Sequence, residues 1–71
     1  MQKNLYTAVI KQDGDAWIGW TEEVPGVNCQ EYSLDELKET LAETLREALE
    51  INREEAQRLA GAGYSVEQIA V

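Results

Sequence analysis

Seventy-one residues carrying six basic and fourteen acidic side chains, a formal charge of −8, make one small acidic domain, residues 1–71, that is marginal as a monomer. One cysteine, Cys29, and no histidine exclude an internal disulfide, a structural zinc site of the usual ligands and any imidazole-based triad, which leaves oligomerisation as the source of extra stability. The acidic balance disfavours contact with nucleic-acid phosphate, and without a long apolar run or a leader-like N-terminus the expectation is a cytoplasmic protein that neither enters a membrane nor binds DNA directly.

Residues 4–11, Asn-Leu-Tyr-Thr-Ala-Val-Ile-Lys, are rich in β-branched and aromatic types and predict a strand. Residues 12–15 predict a hairpin turn centred on Asp13-Gly14, since glycine accepts the positive φ of the primed turns. The returning strand is 16–22, and that centre would pair Lys11 with Ala16, Ile10 with Trp17, Val9 with Ile18, Ala8 with Gly19 and Thr7 with Trp20. Val24-Pro25-Gly26 breaks the ladder, with Pro25 and Gly26 as turn residues, and a short third strand over 27–31 follows. Ser33-Leu34-Asp35-Glu36 fits a capping box in which Glu36 reaches back to the Ser33 amide. The helix it opens, 34–59, lacks proline and glycine and aligns Leu34, Leu37, Leu41, Leu45, Ala48, Asn52, Ala56 and Leu59 on one face. Gly61-Ala62-Gly63 predicts a left-handed C-terminal cap. The tail 64–71 suits either an edge strand, through Val66, Ile69 and Val71, or a short helix opened by Ser65.

These elements predict an α+β domain: a three- to four-stranded, mainly antiparallel sheet with one long helix on one face, in the order β-β-β-α-β. Both faces of the hairpin look apolar, Tyr6, Ala8, Ile10, Trp17 and Gly19 on one and Leu5, Thr7, Val9, Ile18 and Trp20 on the other. The small pair Ala8 and Gly19 would admit a helix backbone, so the helix belongs on that face. The other face, with Leu5, Val9, Ile18 and Trp20, then becomes the candidate oligomer interface, through the sheet or along its edge. A second candidate surface is an acidic ridge on the helix. Glu39, Glu43, Glu47, Glu50 and Glu54 fall within an arc of about 80° at ~100° per residue, nearly opposite the leucine face. The ridge is either a solvated face or a docking surface for a basic protein. Asp13 and Asp15 lack the further ligands of a calcium loop, Glu22 and Glu23 point apart along a strand end, and Cys29 reads as a buried structural thiol, so no catalytic, metal or cofactor site is expected.

The hairpin with Trp17-Ile-Gly-Trp-Thr-Glu-Glu-Val-Pro-Gly-Val27, followed by Ser33-Leu34-Asp35-Glu36-Leu37 opening a helix rich in Ala, Leu and Glu, resembles the N-terminal domain of HicB-type antitoxins. The resemblance spans residues 4–59, and its most specific element is Glu23-Val24-Pro25-Gly26 between that strand and that helix. It implies a partial ribonuclease-H-like arrangement that is dimeric or higher, and a type II antitoxin that occludes a small, basic, mRNA-cleaving HicA-like toxin. Complete family members carry a C-terminal DNA-binding domain; with Val71 as the last residue, none is expected here. The alternative is an orphan structural or regulatory dimer of the same fold with no toxin partner.

Overall fold

The structure, a computed structural model, describes residues 5–71; Asn4, expected to open the first strand, lies outside the described residues. Three strands, β1 (Ala8–Asp13), β2 (Ala16–Thr21) and β3 (Asn28–Glu31), form an antiparallel sheet in the order β1-β2-β3, and α1 (Leu34–Ala60) lies across one face. The α+β class and the single long helix are as the sequence predicts. The fourth strand is not formed: residues 61–71 are neither strand nor helix.

The hairpin differs from expectation by one loop position. Asp13 pairs with Ala16 as the last rung of the ladder, and the turn is Gly14-Asp15. Only Gly14 has a positive φ, +62°, the pattern of a type II′ loop with glycine first. A loop centred on Asp13-Gly14 would have asked Asp13 to enter that region, which costs an L-residue energy. Ile10 therefore pairs with Gly19, Lys11 with Ile18 and Val9 with Trp20. Each β1 residue has moved by two positions along its partner, so the residues within β1 and β2 keep their predicted faces. The strand also starts later than predicted. Pairing ends where the Glu22 amide donates to the Thr7 carbonyl, 3.0 Å, because the partner chain then turns toward Pro25. Leu5 consequently precedes the strand and is 85% exposed.

The helix covers the Gly19 face, as predicted. A Cβ built on Gly19 would lie 2.9 Å from Leu41 Cδ1 and 3.2 Å from Leu37 Cδ2, so the missing side chain is what lets α1 settle this close. Ala8, expected to share that role, is exposed. The buried apolar core is small: Val24, Val27, Leu37 and Leu41, flanked by the partly buried Ile10, Trp17, Cys29, Leu45, Ala48 and Leu49. Val24 and Val27 bracket the Pro25-Gly26 turn and plug one end of the space between sheet and helix. Two polar contacts tie α1 to β3: Thr40 Oγ1 donates to Glu31 Oε2 at 2.7 Å, and Cys29 Sγ donates to Thr44 Oγ1 at 3.5 Å.

Both ends of α1 are capped. The Glu36 amide donates to Ser33 Oγ at 3.1 Å, as predicted. The Glu36 carboxylate, however, accepts from the Ser33 hydroxyl at 3.0 Å, where the capping box had it returning to the Ser33 amide. At the far end the Gly61 amide donates to the Gln57 carbonyl, 3.3 Å, with φ 72° and ψ −149°. That conformation is not the left-handed helical cap expected; it lies in a region open essentially to glycine alone. Gly61 and Gly63, both at positive φ, turn the tail back beside Ala56, Gln57 and Ala60. By then α1 has run past the end of the sheet, and the chain extends 51 Å along its longest axis. The tail thus lies beside the end of α1 and adds no fourth strand to the sheet.

Candidate interaction surfaces

Three surfaces can meet another molecule. The first is the sheet face opposite the helix. The register puts Val9, Ile18 and Trp20 on one side together, with Lys11, Asn28 and Gln30 around them. Val9 and Ile18 are half-buried and Trp20 is 38% exposed. Beside them a shallow groove of about 320 Å³ runs between β2 and β3, lined by Ile18, Trp20, Asn28, Cys29 and Gln30. Three of the four candidate interface residues therefore form one patch, and Leu5 lies outside it.

The second surface is the acidic ridge. Glu39, Glu43, Glu47, Glu50 and Glu54 are all exposed along one side of α1. Glu50 pairs with Arg53, and Glu55, beside the ridge, pairs with Arg58. Both pairs are exposed, so they soften the ridge's repulsion by only a few tenths of a kcal/mol each. The structure keeps the carboxylates directed away from the sheet, opposite Leu37 and Leu41, as helical spacing requires.

The third surface does not follow from the sequence pattern. The leucine face of α1 is continuous from Leu34 to Leu59, but the sheet covers only its first half. Asn52, Ala56 and Leu59 are exposed, Leu59 at 72%, and Ile51 beside them at 63%. Periodicity placed these residues on the core face of the helix; it carries no information about where the sheet ends.

The turn between β2 and β3 is the most heavily bonded segment outside the regular elements. Thr21 Oγ1 donates to the Val24 carbonyl at 2.7 Å, the Thr21 amide to the Val27 carbonyl at 3.3 Å, and the Thr7 amide to Glu23 Oε1 at 2.8 Å. The Thr7 amide, with its hydroxyl adding to the effect, holds the Glu23 carboxyl below the ordinary carboxylate value, since a donated hydrogen bond favours the charged form. Glu23 therefore pins the start of β1 to the turn and keeps Val24 and Val27 in the core. Adjacent on a strand end, Glu22 and Glu23 make a poor acid–base pair, and the bond from Thr7 gives Glu23 a structural role instead. Gly26, at φ +89°, serves the bend that Pro25 begins.

Among the described residues no three His, Cys, Asp or Glu side chains gather as a metal site would require, and no helix is long and apolar enough to cross a membrane. No family model, curated protein or solved structure matches the chain.

Proposed function

We propose that the chain is a HicB-like antitoxin, a dimeric acidic module that neutralises a small, basic, mRNA-cleaving toxin by covering it. Its partial ribonuclease-H-like architecture, cytoplasmic setting and lack of direct DNA binding belong to the same proposal. The observation that carries it is the exposed carboxylate ridge of α1, five glutamates on one side of a helix whose opposite side packs on the sheet over its first half. Such a ridge presents a basic protein with a continuous field of one sign, which speeds encounter and selects partner charge. Three antiparallel strands followed by a long acidic helix, with Glu23-Val24-Pro25-Gly26 building the turn between β2 and β3, support the resemblance on which the toxin partner rests.

The test is co-purification and association kinetics with the product of a neighbouring open reading frame that encodes a small basic protein. Replacing Glu43, Glu47 and Glu50 together by glutamine should slow association and flatten its dependence on ionic strength, while the fold persists. Equal rates and equal salt slopes for wild type and triple variant would make the ridge a solvated face. Failure of any such basic protein to bind would favour the orphan dimer.

A further inference from the structure

The chain leaves more surface in water than a folded protein of its size should. Its accessible area is 6080 Å², against ~4,400 Å² for a compact monomer of 8.0 kDa. Its radius of gyration is 15.1 Å, against ~11 Å for 71 compact residues. The exposed tail and the half of α1 that projects beyond the sheet both contribute to this excess. From the edge of the sheet outward the helix carries an apolar stripe, the half-buried Leu45 and Ala48 at the rim of the core and then the exposed Asn52, Ala56 and Leu59, within an arc of about 80° at ~100° per residue. The acidic ridge is centred on the opposite side of the helix, so no glutamate of the ridge enters the stripe. The tail lies beside Gln57 and Ala60 and shares a shallow groove with Ala56, while Ala56 and Leu59 remain exposed.

The stripe is a palindrome. Its spacings are 3, 4, 4 and 3, and its residues read Leu, Ala, Asn, Ala, Leu in either direction about Asn52. A two-fold interface requires self-complementarity of this kind, because each residue i that meets j has a symmetry mate in which j meets i. An antiparallel pair of helices with its axis at Asn52 matches Leu45 with Leu59 and Ala48 with Ala56 of the second copy, and Asn52 with itself. The alanines beside the axis allow close approach. A lone asparagine in an apolar seam fixes register, because sliding the helices leaves its amide unpaired. The surplus, roughly 1,700 Å² over the whole chain, exceeds the ~800 Å² per partner that a stable dimer buries.

We infer that α1 from Leu45 at the rim of the core to Leu59 is an isologous dimer seam in which a second copy of this chain packs antiparallel across Asn52. This rests on the dimeric reading proposed above and assigns it to the helix, leaving the Val9, Ile18 and Trp20 face open for a different partner.

Sedimentation equilibrium of the full chain tests it. Wild type should sediment at 16 kDa, twice the 8.0 kDa chain, at tens of micromolar. The double variant Ala56→Glu, Leu59→Glu should remain helical by circular dichroism, since both positions are exposed in the single chain, and dissociate about 100-fold or more readily, each buried charge occurring twice by symmetry. Retention of wild-type mass by this variant overturns the helix seam. If Trp20→Glu instead gives the 8 kDa species, the sheet face is the interface and the dimeric reading survives without the seam. Wild type at 8 kDa throughout would remove the dimeric reading itself. Cross-linking in a Cys29→Ser background fixes the orientation. Asn52→Cys should oxidise to a covalent dimer, Leu45→Cys with Leu59→Cys should do the same, and Leu59→Cys alone should not. A covalent dimer from Leu59→Cys alone would contradict the antiparallel arrangement.

Discussion

The two halves of α1 have the same hydrophobic period and opposite fates. From Leu34 to Leu49 the helix is anchored: Leu37 is fully buried, Leu41 nearly so, Thr40 and Thr44 reach β3, and Ser33 caps the start. From Glu50 to Ala60 the same leucine-and-alanine stripe continues over no sheet at all. Eleven residues would be a marginal helix alone in water. They persist here as an extension of the anchored half, closed by the Gly61 cap and braced by two exposed Glu–Arg pairs. An amphipathic stripe thus records that a helix face is to be covered, while the length of the sheet decides which part of it this chain can cover for itself.

The sharpest way to break this contrast is to truncate one buried and one projecting leucine. Leu37→Ala should cost ~2–5 kcal/mol, the range for emptying a packed core site. That is enough to unfold a domain whose buried core holds only four apolar residues. Leu59→Ala should leave the anchored half unchanged. Urea denaturation followed by circular dichroism at low micromolar concentration separates them, and a comparable loss for both that does not change with protein concentration would mean that the projecting half is packed within one chain. Gly19→Ala probes the closest approach of the anchored half. Its Cβ would press on the ends of Leu37 and Leu41, and overpacking of this kind costs ~1–3 kcal/mol, seen as a lower urea midpoint with unchanged helicity.

A smaller effect comes from the helix start. Ser33→Ala removes the acceptor of the Glu36 amide and should cost about 1 kcal/mol, measured as a shift in thermal midpoint, while Ser33→Asp should keep most of it. Smaller again is the pH effect at Glu23. Its folded value lies below its unfolded value, so its contribution is complete above the ordinary carboxylate range and is lost as pH falls through the folded value. Wild type should therefore exceed Glu23→Gln in urea midpoint near neutral pH, and the two should converge on acidification. A gap that persists at low pH would assign the difference to something other than the charged carboxylate.

Much of this was legible in the residues, in a graded way. Alternation along β1 and β2 gave the face memberships correctly even though the loop was misplaced, because pairing slips that keep parity leave side chains on their own face. Gly19 was legible as the point where a helix could approach, and Ser33 and Gly61 as the limits of α1. Val24 and Val27 were read only as flanks of a turn, yet they form half of the buried core. Nothing in a valine beside proline tells whether it faces water or helix; the Thr21, Thr7 and Glu23 hydrogen bonds decide that, and they join residues up to 16 apart in sequence. The fourth strand failed for a similar reason. Val66, Ile69 and Val71 have strand-forming side chains, but the place where a tail lands is set by the length and direction of the helix before it. Of the candidate surfaces, the acidic ridge and the open sheet face followed from spacing and alternation. The uncovered half of the leucine stripe did not, because its period is indistinguishable from that of the covered half.

Amide hydrogen exchange along α1 at two protein concentrations tests most directly whether the projecting half has a partner of its own. Residues 37–48 should be protected equally at micromolar and near-millimolar concentration, since the sheet covers them within one chain. Residues 50–60 should match that protection only at the higher concentration and lose it on dilution, as a second copy leaves. Rapid exchange of 50–60 at both concentrations, beside steady protection of 37–48, would contradict the account.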